Sequence, residues 1–273
     1  GAGHAMSARR PPPAWRLPQG VNSPLWEYLN TPRLAAEEDA YFAGHPLFDA
    51  DADALDARFP TPGRLVDLGC GAGRHSLRFA ARGFEVVSID LARPMLEVVA
   101  RKAEEAGVGD RLLPLQANLC HLGGLPSGTF DYALSMFSTL GMIRGRDARR
   151  RALAEAARIL KPGGRLALHA HNVWLNLRDP QGRRWLLRQA LRLLGGRDEF
   201  GDRRMTYRGI PGMEVHLYRW GELRRELSLA GFRVDEVVPL DEVTAAPIPN
   251  PGRFPSLRAG GWLVFATCLP SRS

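Results

Sequence analysis

Leu65-Val66-Asp67-Leu68-Gly69-Cys70-Gly71-Ala72-Gly73 joins an apolar, strand-like run to a helix-like one. Glycines there let backbone amides approach a ligand closely, at the carboxyl end of a strand where open α/β sheets bind their ligands. A dinucleotide fingerprint needs a further glycine three positions after Gly71, and this chain has Arg74 instead. Asp67 sets a carboxylate beside the loop, which would oppose a pyrophosphate but suits an ammonium group. Asp90 follows the apolar run Val86-Val87-Ser88-Ile89, and a carboxylate at a strand tip can accept both hydroxyls of a ribose. Asn118 follows a third run and offers an acceptor oxygen to an adenine amino group, while backbone amides meet the ring nitrogens. Three loops at successive strand ends thus match three parts of one ligand: an amino-acid head, a ribose and a base.

Such loops need a parallel sheet to carry them. Short apolar runs at 64–67, 85–89, 112–116, 132–136, 165–170, 233–238 and 262–267 read as strands. Between them, Leu77, Phe79 and Ala80, then Met95, Leu96, Val99 and Ala103, then Ala152, Leu153, Ala156, Ala157 and Leu160 recur at three- and four-residue spacing, as helices covering a sheet do. The alternation predicts βαβ units. Lys161-Pro162-Gly163-Gly164 stops the third helix, because proline cannot continue it and glycine accepts positive φ. Ahead of the sheet, residues 15–62 hold scattered aromatics and acids, with a helix expected over 33–42 and a Pro60-Thr61-Pro62-Gly63 break.

Over residues 63–165 the chain resembles the large Rossmann-like (class I) family of S-adenosylmethionine-dependent methyltransferases. Besides the glycine loop, the likeness includes Phe130-Asp131-Tyr132 and Arg158-Ile159-Leu160-Lys161-Pro162-Gly163-Gly164. It implies an α/β fold: a Rossmann-like seven-stranded, mostly parallel sheet with helices on both faces, an N-terminal helical cap and a basic helical insertion after the fifth strand. It also implies S-adenosyl-L-methionine as cofactor. The methionine would lie over Gly69, Cys70, Gly71 and Gly73, with Arg74 or His75 at its carboxylate end and Asp67 nearby. The ribose would sit on Asp90 and the adenine between Leu91, Met95 and Asn118, with Leu119 and Met136 lining the same cleft. Asn118 stands where the family often has aspartate, and it keeps the acceptor oxygen.

Methyl transfer from a sulfonium is an in-line displacement, so alignment of the acceptor and exclusion of water carry most of the catalysis. The acceptor is expected above the fourth and fifth strands, near Met136-Phe137-Ser138-Thr139 and His169-Ala170-His171-Asn172. His169 and His171 lie two apart on a strand and share a face, so either could remove a proton. A metal held by these two with His216 is the alternative role, and no metal is expected. Residues 178–208 carry nine arginines against four acids. Trp185, Leu186, Leu187, Ala190, Leu191 and Leu194 form an apolar stripe there, ended by Gly195-Gly196, which predicts a basic helical lid.

The domain organisation expected is a cloning remnant and unfolded tail at 1–14, a cap segment at 15–62, and the main domain at 63–273 with an insertion at 173–215. A length of 273 residues, 45% hydrophobic and 24% charged, suits one full core. No run approaches a membrane span, no signal-peptide core is visible, and a cytoplasmic protein with no membrane partner is expected. Cys70, Cys120 and Cys268 are too scattered for a disulfide framework or zinc site. The acceptor is expected to be a small molecule. The formal charge of +8 and Arg146, Arg149, Arg150 and Arg151 keep transfer RNA as the alternative, though no RNA-binding module is recognisable. A cofactor-binding regulator is a third reading, disfavoured by three intact loops.

Overall fold

The computed structural model describes residues 11–194, 199–241, 247–248 and 255–270. The N-terminal cap is built from α1 (Ser23–Leu29), α2 (Pro32–Ala36), α3 (Glu38–Tyr41) and α4 (Pro46–Arg58). Next come β1 (Arg64–Leu68), α5 (Arg74–Ala81), β2 (Glu85–Asp90), α6 (Arg93–Glu105), β3 (Leu112–Gln116) and β4 (Phe130–Ser135). Then follow α7 (Thr139–Met142), α8 (Arg146–Ile159), β5 (Leu160–His171), a 3-10 turn (Val173–Leu177) and α9 (Pro180–Leu194). The chain ends with β6 (Asp202–Tyr207), β7 (Ile210–His216), α10 (Trp220–Leu229), β8 (Phe232–Leu240), α11 (Pro255–Arg258) and β9 (Gly261–Cys268).

Seven strands form one sheet in the order β3-β2-β1-β4-β5-β9-β8, parallel through β5, with β9 antiparallel to both its neighbours. All seven strands expected from the sequence are present. Their residues alternate between two apolar layers, the pattern of a sheet covered on both faces. Leu65, Leu134 and Ala167 face α4, α5 and α6 through Leu55, Phe79 and Val99. Val66, Ala133 and Leu166 face α8 and α10 through Leu153, Ile159, Leu223 and Leu227.

Two departures from the sequence reading matter for the site. The cap helix expected over 33–42 is split at Glu37, so α2 and α3 turn separately around the glycine loop. The basic insertion is only half helical. After α9 it becomes a two-stranded antiparallel hairpin, β6–β7, separate from the main sheet. Residues 1–10 and Gly195-Gly196, where a tail and a helix stop were expected, lie outside the described residues.

The hairpin is tied to the domain by a buried charge network. His216 at the end of β7 has Nδ1 2.6 Å from Asp202 Oδ1 and Nε2 3.0 Å from Glu222 Oε1 on α10. Arg149 of α8, 1% exposed, donates to Glu199 and to the Ile143 carbonyl. Burial opposes the imidazolium, but the two carboxylates outweigh it and His216 titrates above the ordinary histidine range. A raised folded-state pKa stabilises fully below the unfolded value and is lost as pH rises through the folded one. Thermal melts from pH 6 to 9 should therefore show the wild type losing stability more steeply with pH than His216→Gln. Equal slopes would remove the imidazolium from the account of hairpin stability.

Candidate active site

The parallel register sets the ends of β1, β2 and β3 side by side, with Leu68 opposite Ile89 and Asp90 opposite Gln116. Amides of Gly69 and Cys70 donate to the Ile89 carbonyl at 2.8 and 2.9 Å, folding the glycine loop over the tip of β2. Asp90 braces the turn: Oδ2 accepts from the Gly71 amide at 2.9 Å and Oδ1 from the Ala92 amide at 2.8 Å. Gly69 and Gly71 have φ of +77° and +52°. A Cβ on Gly69 would collide with Thr139, and one on Gly71 would stand 2.5 Å from Glu38 Oε1. A side chain at Gly69 would clash, and one at Gly71 would strain the backbone and push Glu38 aside.

This loop forms one wall of a cavity of about 510 Å³ lined by Asp67, Gly69, Cys70, Gly71, Arg74, Asp90, Leu91, Met95, Asn118, Leu119, Met136, His169 and His171. Of the cofactor-binding and catalytic residues expected from the sequence, Gly73 alone does not line this cavity. It starts α5 at φ +79°, and a Cβ there would stand 2.7 Å from Val99 Cγ2 on α6. Its role is helix packing behind the loop.

Asp67 is 3% exposed. Its Oδ2 accepts from Ser76 Oγ at 2.7 Å, and Ser76 in turn accepts from Ser88 at 2.7 Å. Burial, helped by the nearby Asp90 charge, raises its pKa to about 6. Burial likewise raises Asp90 above the usual carboxylate range. Asn118 Oδ1 already accepts from the Cys120 amide at 2.9 Å, leaving one lone pair, and Nδ2 donates to the Gln19 carbonyl at 3.0 Å. Arg74 stacks on the Phe48 ring, its guanidinium carbon 3.5 Å from the centroid. That places it against the aromatic wall beside the loop.

Sequence reasoning missed the opposite wall. Glu38 reaches across from α3, where Oε1 accepts from the Ala72 amide at 2.9 Å, and Arg208 lies 3.8 Å from its other oxygen. Phe42, Phe48 and Phe137 pack together with centroids 4.4 to 5.6 Å apart. From the hairpin come Arg203, Met205 and Tyr207, alternate residues of β6 and hence on one face, with Met213 and Val215 of β7. An alternation of period two was the available signal, masked by arginine on both faces of β6.

The two histidines do reach the cavity. Their rings meet edge to face with centroids 5.0 Å apart, and His169 Nδ1 has no hydrogen-bond partner among the described residues. Burial lowers His171 to about 4 and His169 well below the ordinary range, as it lowers His75, also on the cavity wall, to about 4. All three are neutral imidazoles at neutral pH. Beside them Phe137 and Ser138 hold φ of +53° and +55°, strained for residues with side chains, as is common where a binding site fixes the backbone. His216 does not join His169 and His171. It groups with Glu199 and Asp202, the acid–histidine cluster with metal-like spacing among the described residues. None of those three lines the cavity, and both nitrogens of His216 already face carboxylates.

Residues 65–164 match a family model described as a methyltransferase domain. The demethylmenaquinone methyltransferase of Thermus thermophilus is 38% identical over 109 residues, 39% of this chain and 46% of that protein. The chain spans about half or less of the length of the curated relatives it matches. Among solved structures, a methyltransferase of Methanosarcina mazei superposes with a TM-score of 0.60 at 23% identity, covering 76% of this chain and 92% of that one. The 1,6-didemethyltoxoflavin-N1-methyltransferase of Burkholderia thailandensis, solved with 1,6-didemethyltoxoflavin and S-adenosylhomocysteine, gives 0.58 at 18% identity over 98% of this chain and 99% of that one.

The cradle fits that cofactor: glycines leave room for its amino-acid end, and the Asp67 and Asp90 carboxylates line the same cavity wall. Asp90→Ala should weaken S-adenosylhomocysteine binding by about 1–3 kcal/mol, the loss of a buried hydrogen-bonding partner. Because an ionised Asp67 favours the ligand's ammonium, affinity should rise with pH up to about 6 and then level, a dependence that Asp67→Asn abolishes. Calorimetry across pH 5–8 reads both, and a flat wild-type profile would remove Asp67 from the binding set.

Proposed function

We propose that the protein is an S-adenosylmethionine-dependent methyltransferase that methylates a small, largely apolar acceptor inside the cavity that residues 65–164, which match a methyltransferase-domain family model, share with the cap and hairpin. The observation that carries this reading is the continuity of the cavity: the glycine-loop wall and the aromatic wall line one cleft. S-adenosylmethionine supplies a methyl group on a cationic sulfonium. The chain's own residues would hold the cofactor on Asp67, the glycine loop, Asp90 and Asn118. Phe42, Phe48, Phe137, Met205 and Met213 would enclose the acceptor and keep water out.

The rings of Phe48 and Phe137, 4.4 Å apart, offer flat apolar faces beside neutral imidazoles. That surface suits an uncharged ring compound with a hydroxyl or N–H on its edge. Demethylmenaquinone and didemethyltoxoflavin, in the names of two similar proteins, are acceptors with ring systems. The RNA alternative loses support because part of its arginine group is engaged within the protein. Arg149 is buried against Glu199, and Arg150 lies 3.5 Å from Glu226.

His171, with His169 behind it, is assigned the proton-accepting role. At a pKa of about 4 it is neutral through the physiological range and can take a proton that becomes acidic as the methyl group arrives. His171→Ala should lower turnover by about 10²- to 10⁴-fold with cofactor affinity unchanged. With cofactor saturating, the wild-type rate should fall as pH drops through about 4, because the imidazole must be unprotonated to act. Screening ring-bearing phenols and N-heterocycles for methyl incorporation finds the acceptor. Undiminished turnover in the alanine variant would leave alignment alone as the catalytic device.

A further inference from the structure

Helix α9 (Pro180–Leu194) has two apolar faces and needs only one of them to fold. Its inner face packs Leu186, with Trp185 beside it, against Val173, Val215 and Leu217, and the latter two are themselves cavity-wall residues. Gln189, 4% exposed, continues that inner face. On the opposite side Leu187 and Leu191, one helical turn apart, are 63% and 60% exposed. At 100° per residue the two leucines form an outward ridge, with Arg184 and Arg188 along one flank and Arg183 along the other. The helix contains no acidic residue. Neither Arg184 nor Arg188 pairs with an acid among the described residues.

We propose that α9 docks the protein on an anionic membrane surface, with Leu187 and Leu191 entering the boundary between headgroups and acyl chains while the flanking arginines meet lipid phosphates. An outward apolar ridge bordered by cations is the pattern of a helix that lies in a membrane interface. Fifteen residues give roughly 22 Å, short of the hydrocarbon thickness of about 30 Å, so the helix lies on the bilayer and does not cross it. No helix among the described residues is long and apolar enough to cross a membrane. Charge complementarity selects the partner. Arginines attract an anionic surface, and exposed leucines gain nothing from a nucleic-acid backbone, where single-strand binding uses aromatic stacking. A second copy docking through the same ridge would bring like charges face to face across a two-fold axis.

The assignment is independent of the methyl-transfer reading, and its test needs no acceptor. The full chain is sedimented with vesicles of phosphatidylcholine, with and without phosphatidylglycerol, over a series of salt concentrations. Binding is expected only to the anionic vesicles, and it should weaken with salt. It should fall about tenfold or more in the Leu187→Gln/Leu191→Gln variant and similarly in Arg184→Gln/Arg188→Gln. Melting temperatures of both variants should match the wild type, since the altered side chains are exposed. Absence of binding to anionic vesicles overturns the proposal, as does binding that the leucine replacements leave intact. So does an arginine-dependent affinity for bulk transfer RNA without vesicle binding, or a dimer in size-exclusion chromatography that the leucine replacements abolish.

Discussion

The bond from the Gly71 amide to Asp90 is the point where the glycine loop is held to the sheet, and most of the site is arranged around it. Parallel pairing sets the carboxyl ends of β1, β2 and β3 level, so one carboxylate at the tip of β2 can reach the loop that leaves β1. Once that loop is fixed, the Ala72 amide faces outward, and Glu38 of the cap accepts from it. Lys102 of α6 donates to the Ala72 carbonyl and to Asp39, next to Glu38, closing the link from the other side. The cap is thereby attached to the loop itself, and the cavity exists because a helix crosses above a glycine turn.

The acceptor side depends on a different constraint. α4 carries Phe48 against Phe137, and Phe137 can meet it only because residues 137 and 138 adopt positive φ at the end of β4. Conformations of that kind cost of order 1–3 kcal/mol each and persist where the surroundings over-determine them. Here Ser138 is 2% exposed, and Thr139 donates to the Met136 carbonyl at 2.7 Å, closing the strained turn. The same turn places Thr139 against Gly69. The two halves of the cavity are therefore one packed unit.

How much of this was legible in the sequence follows from what each element is buried against. The main-sheet strands were readable because both faces meet apolar layers, giving runs such as Val86-Val87-Ser88-Ile89. The glycine loop was readable as a turn at a strand end because three glycines in five residues follow an apolar strand. The β6–β7 hairpin was not, because Arg203 and Arg204 put cations on both faces of β6 and mask the period-two alternation of Met205 and Tyr207. Glu38 was invisible for a related reason: an acid in a cap helix looks solvated until the fold brings the Ala72 amide to it. Arginine content misled in the same way, since Arg149 reads as a surface cation in the sequence and is buried against Glu199 in the fold.

Electrostatics divide the cavity into unlike halves. Asp67, Asp90 and Glu38 converge on one wall; burial pushes all three upward, the Asp90 charge adds to that at Asp67 and Glu38, and backbone amides temper Asp90. Such a cluster is under strain from like charge, and a cationic ligand relieves it. A sulfonium with an ammonium group brings two positive charges to that wall, so binding and consolidation of the cap should reinforce each other. The acceptor side holds neutral imidazoles whose burial disfavours any charge. Loss of the methyl group turns the sulfonium into a neutral thioether, and the attraction that held the cofactor weakens as the reaction completes. If that wall holds the cofactor as proposed, the same carboxylates that favour loading would hold the spent product less tightly, and turnover would follow from the arrangement of charge as much as from any base.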